Sequence, residues 1–103
     1  MIAVFVNSMA DTATFAPLFK DIEGISLYNP TREELEKVLA ENPTETFMCL
    51  GHGSPRGLFS ADMHGFLLDR DNVHLLKDRD VIGIWCYASD FARQNNLRGF
   101  FTY

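Results

Sequence analysis

Two short apolar runs constrain this chain more than anything else in it. Phe47 to Leu50 is apolar throughout, with no polar alternation, and stops abruptly at Gly51-His52-Gly53. Val81 to Trp85 has the same character and stops at Cys86. A strand with one wet face alternates apolar and polar residues. A run without alternation predicts a strand buried on both faces, as in a parallel sheet. Glycines placed directly after such a strand let the backbone turn sharply and approach another group closely. In open α/β sheets, ligands gather at the carboxyl ends of the strands. If the two runs are neighbours, a histidine and a cysteine leave the sheet side by side.

The rest of the chain supplies elements of the matching kind. Ile2 to Val6, Ile25 to Tyr28 and Gly99 to Tyr103 read as further strands. Thr31 with Glu34 three positions on has capping-box spacing, and Leu35, Val38 and Leu39 make an apolar helical stripe that Asn42-Pro43 ends. Glu33 and Lys37 are spaced for an i,i+4 pair. Asp11 to Lys20 reads as a loop and a short helix interrupted by Pro17. GLF and GFLL, between Pro55 and Leu68, predict a small β-hairpin, with Asp69 to Lys77 a short helix after it. Ala88 to Asn95 is a helix with Phe91 and Ala92 inward. The expected fold class is therefore α/β. It has about five mostly parallel strands, helices on both faces, and a hairpin after the third strand. At 103 residues the chain is expected to be one domain, residues 1–103. It stops inside the strand-like run GFFTY, which also suits a fragment of a longer sequence.

Composition removes several functions. A net charge of −5, with Lys and Arg scattered singly, argues against nucleic acid as a partner. No segment reaches the roughly 18 apolar residues that span a bilayer, and MIAVFVN lacks the charged start of a signal peptide. Two cysteines cannot form a disulfide framework, so a reducing, cytoplasmic setting is expected. Cys49, His52, His64 and Cys86 do not fall into paired metal-ligand spacing, so neither metal nor cofactor is expected.

What remains is thiol chemistry. An imidazole that takes a thiol proton leaves a thiolate, the attacking species at neutral pH. His52 is the candidate base and acid and Cys86 the nucleophile. The N–H groups of Gly53 and Cys86 are candidate oxyanion donors. Ala88 and Ser89 open the following helix, whose dipole favours a thiolate nearby. Ser54, Phe59 and Asp90 are candidates for substrate contact. Phe59 and Phe66 either line a groove or anchor the hairpin, and Asp90 either selects a basic side chain or caps the helix. Cys49, inside its apolar run, reads as core.

LGHGSP and IGIWCYAS, each closing an apolar strand with a hairpin-like insert between them, resemble the caspase-like cysteine peptidase clan. That group includes caspases, legumain, clostripain and separase. The resemblance covers the second half of the chain, and the first half only through element order. It implies a three-layer caspase-like fold with flavodoxin-like strand order, a His52–Cys86 dyad, and a peptide or protein substrate. Trp85 stands where many members carry a small residue, and Tyr87-Ala88-Ser89-Asp90 replaces their Ser-Gly or Thr-Gly turn. Those departures leave a second expectation, an inactive caspase-like domain serving as a binding or structural module. GHGS is also similar to the turn after the first strand of tetrapyrrole chelatases, but here it follows two earlier strands.

Overall fold

The structure is a computed structural model that describes residues 1–6, 24–61 and 64–103. The expected loop and helix at 11–20, and the turn chemistry of Asn7-Ser8, lie outside the described residues.

A five-stranded parallel sheet organises the molecule. β1 (Ile2–Phe5), β2 (Ile25–Tyr28) and β3 (Phe47–Leu50) come first. After β3 come β4 (Gly53–Ser54), β5 (Gly57–Phe59) and β6 (Phe66–Leu68), then β7 (Asp80–Ile84) and β8 (Arg98–Phe101). The large sheet runs β2-β1-β3-β7-β8, and β4-β5-β6 form a small antiparallel sheet of their own. The expected hairpin is present as β5 and β6, and β4 extends it to three strands, because Gly53 and Ser54 pair with Leu58 and Gly57. Residues expected in the turn after β3 have become an edge strand.

Helix α1 (Arg32–Glu41) starts as its sequence predicts: the Thr31 hydroxyl accepts from the Glu34 N–H at 3.1 Å. Lys37 finds Glu41, 4.0 Å away, as its charge partner. Leu35 and Leu39 are fully buried, each contributing about 2 kcal/mol through apolar area removed from water. Arg79 closes the far end. Its buried guanidinium donates at 2.9 Å to the Leu39 carbonyl, one of the groups that a helix terminus leaves open, and at 3.2 Å to the Glu45 carbonyl beyond the helix. Helix α2 (Ala88–Gln94) follows β7 and buries Ala88, Phe91 and Ala92.

The expected helix at 69–77 contracts to one 3₁₀ turn, Val73–Leu76. The Asn72 side-chain oxygen accepts from the Asp69 N–H at 2.9 Å, and Asp69 in turn grips Arg32 through two bonds of 3.0 and 2.9 Å. These contacts spend the residues that would have started a longer helix. They also tie α1 to β6, at whose first residue Arg32 reaches the Phe66 carbonyl at 3.2 Å.

Alternate strand residues Ile2, Val4, Phe47, Cys49 and Val81 share one core with Leu35 and Leu39 of α1, Phe91 of α2, and Leu58, Leu67 and Leu68 of the small sheet. Among the described residues, both helices therefore lie on the same face of the large sheet. Helices on both faces, as expected from the sequence, are seen on that face alone. On the other face Ala3, Phe5 and Leu50 are buried, while Phe100 is 63 % exposed.

Candidate active site at the carboxyl edge of the parallel sheet

β3 and β7 are adjacent and parallel, with Leu50 opposite Ile84. The ladder continues one step, since the Gly51 N–H donates to the Ile84 carbonyl at 3.1 Å. His52 and Cys86 each lie two residues past that last pair. They leave the sheet at equal depth, on neighbouring strands, with the same strand parity. The condition posed by the sequence, that the two runs be neighbours, is met.

The two thiols have different surroundings. Cys49 is fully buried in β3, and burial pushes its thiol well above the usual range. Cys86 is exposed. It occupies a turn closed by the Ala88 N–H, which donates to the Trp85 carbonyl at 3.2 Å. Tyr87, within this turn, holds left-handed backbone angles of φ 66° and ψ 24°, uncommon and strained for a residue with a side chain.

Trp85 joins the two sides of the site. It is 3 % exposed, and its indole N–H donates to the Ser54 carbonyl at 3.0 Å. A side chain on Gly53 would meet the indole Cδ1 at 2.3 Å and the Gly57 carbonyl at 2.4 Å. One on Gly83 would meet the indole Cζ3 at 2.9 Å and the Phe101 ring at 2.8 Å. At Gly53 the protein's own packing requires glycine, because the indole fills the space. Phe91 packs against the same ring, with centroids 5.6 Å apart.

Thr102 completes the turn from the far side. Its hydroxyl accepts from the Trp85 N–H at 3.1 Å and donates to the Trp85 carbonyl at 2.8 Å. The Thr102 carbonyl accepts from the Ser89 N–H at 2.8 Å. The first-turn N–H groups of Ala88, Ser89, Asp90 and Phe91 all donate to carbonyls of this chain. What the start of α2 offers Cys86 is accordingly a dipole field.

The other candidates are held by neighbours. The Ser54 hydroxyl accepts from the Arg56 N–H at 3.1 Å. Phe59 stacks on Phe66, with centroids 5.1 Å apart and planes at 20°, so these rings anchor the small sheet. The Asp90 carboxylate pairs with Arg93 of its own helix. Among the described residues, no group of three or more His, Cys, Asp or Glu side chains is placed to hold a metal ion. No described helix is long and apolar enough to cross a membrane.

Sequence reading passed over Trp85 as a site component, although a buried indole N–H always needs an acceptor and so points to a specific contact. Thr102 carried no comparable signal. Comparison with protein-family models, curated proteins and solved structures finds no match.

Proposed function

We propose that this chain is a cysteine hydrolase acting on peptide or protein substrates, built as a caspase-like α/β domain in which His52 and Cys86 form the dyad. The observation that carries the reading is the in-register pairing of β3 with β7, which sends both residues out at one level with Cys86 exposed. In this reaction His52 takes the Cys86 proton and the thiolate attacks the substrate carbonyl carbon, forming a C–S bond. The resulting oxyanion accepts from the N–H groups of Gly53 and Cys86. Collapse expels the amine, which receives its proton from the His52 imidazolium. Water, deprotonated by His52, then cleaves the thioester and restores the thiol. A free nucleophilic thiol suits a reducing, cytoplasmic compartment.

The test is the pH dependence of alkylation at Cys86, in the native protein and in His52→Ala, with Cys49 as the internal control. The hydrolase reading expects fast modification well below about pH 8.5, the unperturbed thiol value, and loss of that advantage in His52→Ala. An ordinary thiol profile, indifferent to His52, ends the reading. It would favour the second one, a non-catalytic binding module, for which the observation is the Trp85 indole packed over Gly53.

A further inference from the structure

Trp85 spans the two turns that the proposed chemistry needs together. It immediately precedes Cys86. Its indole N–H holds the carbonyl of Ser54, two residues beyond His52, at 3.0 Å. Its ring sits in a slot left by two glycines, Gly53 after β3 and Gly83 within β7. Its backbone N–H and carbonyl are both held by Thr102. Trp85 is therefore fixed at its backbone by Thr102, just past β8, and at its indole tip by Ser54 of β4.

A histidine and a cysteine on separate strands gain nothing from adjacency unless the turns carrying them keep a fixed spacing. Misplacement by about 1 Å can cost about a hundredfold in rate. The sheet's ladder runs out just past Leu50 and Ile84, at the bond from the Gly51 N–H to the Ile84 carbonyl. Beyond that bond, the Trp85 indole ties Ser54 of β4, the strand that follows His52, to the turn that carries Cys86.

We infer that Trp85 is a positioning residue for the His52–Cys86 dyad: it clamps β4, which directly follows His52, to the turn after β7 and so sets the distance from imidazole to thiol. This inference rests on the hydrolase reading above. Trp85 itself touches no reacting atom. A small residue before the cysteine would leave the two turns without this tie.

Trp85→Phe keeps a ring in the slot and removes the N–H. Because one neutral hydrogen bond is worth up to about tenfold, the midpoint of Cys86 alkylation should rise toward that of His52→Ala by about half to one pH unit. Alkylation of Cys49, which reports only on opening of the core, should remain slow. A Trp85→Phe profile that superimposes on a His52-dependent native profile overturns the inference and leaves the hydrolase reading intact. A native profile indifferent to His52 removes both.

A second measurement needs no change at Trp85, the one tryptophan in the chain. Protonated imidazole quenches indole emission at short range. Native fluorescence should then be quenched when acid protonates His52, and that quenching should vanish in His52→Ala. Emission that is flat with pH, or quenching that survives His52→Ala, rejects the clamp even where Trp85→Phe does not fold.

Discussion

Cys49 and Cys86 are carried by neighbouring segments of one sheet, yet the fold gives them opposite chemistry. Cys49 lies within β3, opposite Gly83, fully enclosed and with its thiol pushed up by burial. Cys86 lies just past the end of β7, exposed in a turn whose backbone is held by Thr102 and whose preceding ring is wedged between glycines. The difference lies in position along a strand. A strand's middle belongs to the core, while its carboxyl end is where side chains meet solvent and one another. Reactivity in this chain is therefore a question of where each strand stops.

The largest effect should be in accessibility. A fully buried thiol reacts only when the protein opens, so native Cys86 should alkylate at least about a thousandfold faster than Cys49, and denaturant should abolish the difference. Peptide mapping of alkylated protein by mass spectrometry reads both sites at once, and equal native rates would break the comparison. Replacing each sulfur by oxygen comes next. Cys49→Ser buries a hydroxyl in an apolar site and should cost about 2 kcal/mol, whereas Cys86→Ser should lie within about 0.5 kcal/mol of the parent in urea unfolding.

The third prediction separates the frame from the site by pH. The Arg32 guanidinium hydrogen-bonds Asp69 and holds its carboxyl below the ordinary carboxylate value. A group whose value is depressed on folding adds stability above its unfolded value of about 3.9 and loses it as pH falls through the folded one. Unfolding free energy should therefore drop below about pH 4. Asp69→Asn should cost about 1 to 2 kcal/mol at neutral pH and flatten that acid limb. The acid limb of Cys86 alkylation, set at the sheet edge, should stay where it was. The smallest effect belongs to the Cys86 turn itself. Tyr87→Gly relieves left-handed backbone strain at an exposed position and should change stability by no more than about 1 kcal/mol in calorimetry, in the stabilising direction.

Much of the frame could be read from the sequence because local signals and long-range packing agree there. The apolar runs at β1, β3 and β7 and the Thr31–Glu34 cap each point to the element found, and Leu35 and Leu39 face the core as their spacing requires. The five-stranded parallel arrangement followed from alternation of those elements. Disagreements arise where side chains override local pattern. Asp69 and Asn72 turn the chain before a helix can start, and Gly53 and Ser54 are recruited as a strand by Gly57 and Leu58, which no periodicity encodes. At the edge, the apolar runs located His52 and Cys86. The reason for Gly53 was hidden, because it depends on Trp85, 32 positions away in sequence and adjacent only after β3 and β7 pair. Thr102 was hidden for the same reason.

That threonine also makes the Cys86 turn depend on the last strand of the sheet. The turn bearing Cys86 takes its hydrogen bonds from a residue 17 positions beyond Trp85. Without β8, the strands β1, β3 and β7 can still pair, but the turn that carries Cys86 is open on one side. Only when β8 is docked along β7 can the hydroxyl of Thr102 close it. A chain shortened before β8 would accordingly carry Cys86 without the backbone grip that Thr102 supplies.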